Sequence, residues 1–267
     1  MRRPVAGVGD GDSLQSWFQS MPMVTKVFFV GTLLTGGMTT FGMINPMSLI
    51  FFWENIRRRF EIWRLFTPYL FAGGFSFNYA MHLYMMYQNF LRYEQNPYNT
   101  GAGGTSADFL WLIMFAQIIH TIVGYIFDIS VFSESILYVV MYVWSRREPT
   151  AMLSMFGFKF QAVYLPWIYV AIRMLMGGSI MMPLLGVSIG HLYFFLVEVL
   201  PLSYGRTVIT TPLFCIKLAN WYTGSSSRPP VVVAASSGTP SGSGIGSGGG
   251  RGGAGYNWGR GNVLGSR

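Results

Sequence analysis

The sequence predicts an all-α, polytopic membrane protein with six transmembrane helices. Of its 267 residues, 51% are hydrophobic and only 10% are charged, whereas about a quarter of the residues in a soluble domain are charged. The mean hydropathy is +0.40, and apolar segments of bilayer-spanning length recur along most of the chain. A hydrophilic tail rich in glycine and serine follows them. This contrast indicates a membrane-embedded body that carries a flexible arm.

Six apolar segments are predicted to span the bilayer. They cover residues 24–44, 68–91, 109–127, 133–144, 160–178 and 181–200. Asn45-Pro46 is expected to end the first segment, and Arg146-Arg147-Glu148-Pro149 the fourth, because proline and clustered charges interrupt an apolar helix. The fourth segment is the shortest. Residues 92–107, between the second and third, are predicted to form a loop rich in glycine and asparagine.

Two short helices are predicted to lie in the membrane interface. The first covers residues 13–21, with Asp12 or Ser13 as its cap. The second begins after Thr211-Pro212, where threonine caps and proline occupies the first turn. In both helices the apolar residues recur at helical spacing: Leu14, Trp17, Phe18 and Met21 in the first, and Phe214, Leu218, Trp221 and Tyr222 in the second.

The loop after the first span alternates charged and aromatic residues. It is too apolar to be fully solvated and too charged to span the bilayer, so it is expected to lie among the lipid headgroups. The charged residues are Glu54, Arg57, Arg58, Arg59, Glu61 and Arg64, and the apolar ones are Phe51, Phe52, Trp53, Phe60, Ile62 and Trp63.

Six spans place both termini on the same side of the membrane. Thirteen basic residues fall on that side: Arg2, Arg3, Lys26, Arg92, Arg146, Arg147, Lys159, Arg206, Lys217, Arg228, Arg251, Arg260 and Arg267. Only four, Arg57, Arg58, Arg59 and Arg64, fall on the opposite side, and Arg173 lies within a span. Because basic residues favour the cytosolic side, the count predicts cytosolic termini.

Composition also excludes several classes of function. The single cysteine, Cys215, rules out an internal disulfide, and with one cysteine and three histidines we expect no metal centre. No cofactor is expected. The net charge of +8 is scattered around the apolar segments, so we expect no nucleic-acid partner. The first apolar run starts only near Val24, which predicts an uncleaved first helix and no cleaved signal peptide.

The chain is therefore divided into a transmembrane domain (1–223), a disordered linker (224–256) and a terminal motif (257–265). The motif contains Trp258 and Leu264, which a plain linker does not need. A glycine-rich strand can add to the edge of a partner while such side chains fill pockets, and the linker gives a reach of roughly 30 Å. RNA contact through Arg251 and Arg260 is the alternative.

Several motifs, taken in this order, resemble the derlins, a family of rhomboid-like pseudoproteases of the endoplasmic reticulum membrane. They are Glu61-Ile62-Trp63-Arg64, Tyr164-Leu165-Pro166-Trp167, Gly177-Gly178-Ser179 and Gly186-x-x-x-Gly190-His191-Leu192-Tyr193-Phe194-Phe195. The resemblance covers roughly residues 13–222. It returns at the tail, where residues 257–265 resemble the SHP box that binds the AAA ATPase valosin-containing protein; the residues that match are Trp258, Gly259, Gly261 and Leu264.

The resemblance implies a rhomboid-like fold and a role in endoplasmic-reticulum-associated degradation. Derlins help misfolded proteins to leave the lumen or the membrane for the cytosol, together with membrane ubiquitin ligases and the ATPase. The expected location is the endoplasmic reticulum membrane, as a multi-pass protein of the lipid bilayer with cytosolic termini. Whether the protein forms a homo-oligomer or pairs with a ligase stays open.

An active rhomboid-type serine protease is the main alternative. Rhomboid proteases use a Gly-x-Ser-Gly serine in span four and a histidine three residues before the first glycine of Gly-x-x-x-Gly. The corresponding position here is Pro183, and residues 133–144 contain no glycine. Ser188 and His191 lie on one helix, which we interpret as coincidence. Without a general base a serine is not activated, so the sequence predicts no enzymatic activity. A small-solute transporter is disfavoured because the chain shows no inverted repeat.

Two residue pairs outside the tail are candidate site residues. Gly186 and Gly190 lie one turn apart and would let helices approach closely in lipid. Trp63 and Arg64 lie at the lumenal end of span two, where tryptophan and arginine anchor a chain in the interface. The resemblance favours a role for them in substrate handling or in holding the loop in the membrane.

Seven polar residues fall within the predicted spans: Asn78, His82, Gln88, Asn89, Gln117, His120 and Arg173. A mid-span arginine costs roughly 2.5–3.5 kcal/mol unless it is paired or hydrated. Either these residues pair with one another, or they line a cavity that is open to water on one side. The second arrangement, with a short fourth span that thins the bilayer, would lower the barrier to moving a polypeptide across.

Overall fold

The computed structural model describes residues 10–155, 157–205 and 207–223. The predicted linker and the terminal motif, with Trp258, Gly259, Gly261 and Leu264, lie outside these residues, so they stay predictions.

The described chain is mostly helical. Its helices are α1 (Asp10–Ser20), α2 (Met23–Thr40), α3 (Trp53–Arg59), α4 (Thr67–Leu70), α5 (Phe77–Gln95), α6 (Ser106–Phe127), α7 (Ser133–Arg147), α8 (Leu165–Leu175), α9 (Met181–Phe194), α10 (Leu200–Tyr204) and α11 (Leu213–Thr223). Short 3₁₀ turns cover Pro46–Ser48, Ile62–Leu65 and Ala162–Tyr164, and a π-helical turn, Phe195–Val199, joins α9 to α10. Two strands, β1 (Met152–Met155) and β2 (Phe158–Gln161), pair antiparallel.

Two of these helical segments are long and apolar enough to cross a membrane. They are α6, with 22 residues, and the continuous segment Met181–Tyr204, with 24 residues. The segment Ala162–Leu175 is apolar but shorter. The predicted third and sixth spans are thus confirmed as long apolar helices, and the prediction of six spans is not settled by helix length and composition.

The predicted second span is wrong in its first part. It is interrupted between α4 and α5, where Gly73 adopts a φ of +95° that favours glycine. The Ser76 hydroxyl then accepts a hydrogen bond from the Tyr79 N–H at 3.2 Å and caps α5. Similarly, α2 ends at Thr40, four residues before the predicted end, because Gly42 has a φ of +69°.

The predicted fifth span also begins too early, and the all-α prediction misses a hairpin there. Residues 160 and 161 belong to β2, and Gly157, with a φ of +84°, lies in the turn between the strands. The helix itself begins at Leu165, with Pro166 in its first turn, where a proline needs no hydrogen-bond partner.

The loop between α5 and α6 is organised around one buried carboxylate and is shorter than predicted, since α5 continues to Gln95 and α6 begins at Ser106. Asp108 is fully buried. Its oxygens accept hydrogen bonds from the Thr100 hydroxyl at 2.8 Å, the Gly104 N–H at 2.8 Å and the Thr211 hydroxyl at 2.5 Å. Asp108 therefore connects this loop to the segment that precedes α11.

The two helices predicted to lie in the interface do form, but their predicted caps are wrong. Asp12 and Ser13 lie inside α1, which already includes Asp10. The Thr211 hydroxyl is directed to Asp108, as described above, and α11 begins at Leu213. The apolar face predicted for α11 is exposed: Phe214, Leu218, Trp221 and Tyr222.

Helix α7 lies at the centre of the bundle. Every residue from Ser135 to Ser145 is buried, and α4, α5, α8 and α9 pack around it. Gly186 and Gly190 of α9 face α7: a Cβ on Gly186 would lie 2.7 Å from the Cβ of Tyr138, and one on Gly190 would lie 3.0 Å from the Val139 carbonyl oxygen. The two glycines allow the helices to approach this closely.

We predict a graded response to alanine at these glycines. Gly186→Ala should destabilise the protein by roughly 1–3 kcal/mol, because the added methyl group meets rigid atoms of α7, and Gly190→Ala by less. Thermal unfolding in detergent measures both. Gly37→Ala is the control, since the added Cβ would lie 3.7 Å from Cζ of Phe75, an ordinary van der Waals contact. Equal melting temperatures for Gly186→Ala and Gly37→Ala would contradict the packing role. Leucine at either position is expected to disrupt the fold or its assembly.

Candidate functional site: a polar groove between α5 and α8

One face of α5 lines two cavities in this bundle with polar and methionine side chains. Each member lies three or four residues from another, which places them on one side of the helix: Asn78, Met81, His82, Met85, Gln88 and Arg92. We call this set the α5 stripe. It extends for about 21 Å along the helix.

The α5 stripe lines two adjoining cavities. The first has a volume of about 330 Å³ and is also bordered by Ser133 and Glu134 of α7 and by Arg173 of α8. The second has a volume of about 250 Å³ and reaches Leu153 and Phe160 of the hairpin. Met81, Met85 and Tyr169 border both cavities. Because they share this lining, we treat the two cavities together and call them the α5–α8 groove.

An ion pair lies at one end of the groove. The Nε of Arg173 donates to Oε1 of Glu134 at 2.5 Å, and its Nη2 donates to Oε2 at 3.2 Å. Arg173 was identified from the sequence, whereas Glu134 was missed. Glu134 could have been found from the sequence. An acidic residue at the start of an apolar span needs a partner, and a basic residue in another span, here Arg173, can be that partner.

The seven polar residues divide between the two predicted arrangements. Asn78, His82, Gln88 and Arg173 line the α5–α8 groove. The other three are hydrogen-bonded inside the bundle: Gln117 to the Leu65 carbonyl at 2.6 Å, His120 to the Ser135 hydroxyl at 2.7 Å, and Asn89 to the Met85 carbonyl at 2.7 Å. Polar residues in these segments thus serve both as internal ties and as a cavity lining.

Arg64 holds the loop that precedes it. Its Nη1 donates to the carbonyl oxygens of Met47 at 2.7 Å and Ile50 at 2.8 Å, and its Nε donates to Glu61. This hydrogen bond lowers the pKa of the Glu61 carboxyl below its usual value, so Glu61 stays ionised at neutral pH. Arg64 is buried, whereas Trp63 is 52% exposed. Neither residue lines the α5–α8 groove.

Comparison with known proteins identifies the family. The sequence model of the Der1-like family matches residues 21–213. Derlin-1 of Homo sapiens is 33% identical over 257 residues, which cover 94% of this chain and 98% of the relative. Derlin-1 of Arabidopsis thaliana is 33% identical over 78% of this chain and 79% of the relative. A probable derlin-2 homolog of Dictyostelium discoideum is 30% identical over 75% and 80%, respectively.

The chain belongs to the Der1-like family. Membership confirms the resemblance drawn from the motifs, and it indicates a role related to endoplasmic-reticulum-associated degradation for a membrane protein of this kind.

Ser188 and His191 of this Der1-like protein are engaged in structural contacts. The Ser188 hydroxyl donates to the Leu184 carbonyl at 2.8 Å, and the Nδ1 of His191 is hydrogen-bonded to the Tyr142 hydroxyl at 2.8 Å. His120 and Ser135 do contact each other, but both are fully buried. Rings of Tyr69 and Phe132 pack against His120, so this pair lies in the packed core and outside the groove.

Gly177 and Gly178 belong to the motifs that resemble the family, and the local structure of this Der1-like protein explains why glycine occupies both positions. Gly177 ends α8 with a φ of +75°, which favours glycine. A Cβ on Gly178 would lie 2.6 Å from Cζ of Arg173. The arginine side chain therefore folds back over Gly178 toward Glu134, and a Cβ at this position would require it to shift.

We predict that Arg64→Lys loosens the loop over residues 45–52. Lysine keeps the charge but lacks the planar fork that reaches Glu61 and two carbonyl oxygens together. Hydrogen exchange in nanodiscs should become faster in this loop, with a loss of roughly 1–3 kcal/mol for the unpaired groups. Trp63→Ala is the control and should leave the exchange of the loop nearly unchanged. Equal exchange in Arg64→Lys and the wild type would show that Arg64 does not hold the loop.

Proposed function

We propose that this protein is a non-catalytic component of endoplasmic-reticulum-associated degradation that assists retrotranslocation of misfolded polypeptides along the α5–α8 groove. The observation that carries the proposal is the continuous α5 stripe. A polypeptide in hydrocarbon must leave its polar groups unpaired, at a cost of several kcal/mol each. A groove that offers asparagine, histidine, glutamine and arginine along one wall lowers that cost.

The short central helix supports the same proposal. Helix α7 has 15 residues and is about 22 Å long, whereas the hydrocarbon core of a bilayer is about 30 Å thick. A bundle built around such a helix favours local thinning of the bilayer. A thinner bilayer shortens the path of a polypeptide through hydrocarbon. We include in this proposal six membrane crossings, with α8 as a short one, and cytosolic termini in the endoplasmic reticulum membrane.

We infer that the protein does not cleave its substrates. Pro183 stands where the general base of a rhomboid protease would be expected. Ser188 and His191 are bonded to separate partners, and His120 and Ser135 are fully buried. A serine without an accessible base has no route to a nucleophile at neutral pH. Nothing in the groove favours the protease alternative.

The C-terminal tail is proposed to recruit an ATPase to the membrane. Trp258, Gly259, Gly261 and Leu264 would bind the AAA ATPase valosin-containing protein, and the linker would let it work beside the groove. A membrane ubiquitin ligase complex and further copies of the chain are the other proposed partners.

The groove is tested by accessibility to a water-soluble thiol reagent in membranes. In a Cys215→Ala background, Met85→Cys and Gln88→Cys should react, because both positions line the cavities. Ile118→Cys and Ile122→Cys are matched controls on an exposed apolar face and should resist. If the two groove cysteines are as unreactive as the controls, the groove is closed to water and the proposed path is wrong.

The tail is tested by affinity purification in mild detergent. Trp258→Ala should abolish recovery of the ATPase, because the indole is the proposed anchor in a pocket of the partner. Arg251→Ala removes a nearby charge outside the motif and should leave recovery unchanged. Recovery that depends on Arg251 instead, and that disappears after ribonuclease treatment, would support RNA contact and contradict the docking role.

A further inference from the structure

The Glu134–Arg173 pair connects the fixed centre of the bundle to the wall of the groove. Glu134 lies at the start of α7, and Arg173 lies in the last turn of α8. In this bidentate contact the side chain of Glu134 is 21% exposed and that of Arg173 is 32% exposed. Both residues border the first cavity. The pair therefore faces whatever occupies that cavity.

The arginine is held in place before any ligand arrives. Its side chain lies against Gly178, as described above, and its charge is satisfied by Glu134. A planar guanidinium held by two parallel hydrogen bonds has little freedom left to lose on binding. The pair is a built feature of the cavity.

The pair presents donors and acceptors together with no net charge. A guanidinium has five N–H groups and a carboxylate has about four lone-pair positions, of which the mutual contact uses two on each side. In the same cavity, the Nε2 of His82 is buried and has no hydrogen-bond partner among the described residues. Met81, Met85, Met176 and Met182 supply an adaptable apolar lining, which suits varied ligands.

These properties match one kind of occupant. A lipid tail has no polar groups, so it would leave the Nε2 of His82 and the unused donors and acceptors of the pair without partners. An anionic headgroup would meet the carboxylate of Glu134. A peptide group carries one donor and one acceptor without a charge, and an extended segment presents them in every residue.

We propose that the Glu134–Arg173 pair is a main-chain binding site for an extended polypeptide segment and that its neutrality sets the charge preference of the groove. The pair accepts segments with uncharged residues at this point. It disfavours a fixed charge of either sign, because such a charge meets one like and one opposite partner and so gains little net attraction to offset its desolvation. This inference rests on the proposed function and specifies the substrate class of the same groove.

The test measures which peptide occupies the cavity in nanodiscs of neutral phosphatidylcholine. The full chain carries Cys215→Ala and a reporter, Met176→Cys, that borders the cavity. Three apolar peptides of about 20 residues differ only in a central Gln, Glu or Lys beside one cysteine. The yield of disulfide cross-links reports occupancy, and Ile118→Cys in place of the reporter corrects for peptides that are merely dissolved in lipid.

With the pair intact, the Gln peptide should cross-link best. E134Q should favour the Glu peptide over the Lys peptide by at least about tenfold, and R173Q should favour the Lys peptide by a similar factor. The exchanged pair, E134R/R173E, should restore the preference for Gln, which also shows that the variants are folded. An unchanged order of the three peptides in E134Q and R173Q would overturn the inference.

Two further outcomes separate this inference from the proposed function. If no peptide cross-links to Met176→Cys above the Ile118→Cys background, the groove does not hold polypeptide, and both proposals are wrong. The second outcome is seen in nanodiscs that also contain anionic lipid. If the peptides cross-link in neutral nanodiscs but anionic lipid displaces them from the wild-type protein, the Glu134–Arg173 pair binds lipid headgroups, and the inference about the pair is wrong.

Discussion

The close approach of α9 to α7 is the constraint on which the rest of this structure depends. Gly186 and Gly190 bring the backbone of α9 against α7, so that α7 is buried along nearly its whole length. Lipid offers no hydrophobic force that would drive two apolar helices together. Close packing must therefore supply the association, and a single added carbon at Gly186 meets backbone atoms that cannot move aside.

A fixed α7 in turn positions the groove. Its first turn presents Ser133 and Glu134 to the first cavity, and Glu134 holds Arg173 of α8 opposite the α5 stripe. The polar ties elsewhere keep the surrounding elements in place: Arg64 holds the loop after α2, and Asp108 connects the loop after α5 to the segment before α11. The polar residues of this membrane protein thus divide into those that fix its shape and those that remain available to a ligand.

Much of this architecture could be predicted from the sequence, because apolar length and small-residue spacing are local signals. The long helix α6, the short α7 and the pairing role of Gly186 and Gly190 all belong to this class. The hairpin was missed although Phe158-Lys159-Phe160-Gln161 alternates apolar and polar residues, because four residues are the shortest stretch in which this period indicates a strand. The connection that Asp108 makes to the segment before α11 could not be predicted from the sequence, since its partner Thr211 is 103 residues away. The division of the polar residues between groove and core likewise needs the fold.

The central claim is that a polypeptide in transit occupies the α5–α8 groove. The most direct measurement is photo-cross-linking in endoplasmic reticulum membranes, with a misfolded substrate halted by a tightly folded domain at its trailing end. Photoreactive residues at Tyr84 and Gln88 border the groove, and one at Ile126 lies on an exposed apolar face. The account predicts adducts with the halted substrate at the first two positions and none above background at the third. Equal adducts at all three, or adducts only at Ile126, would contradict it.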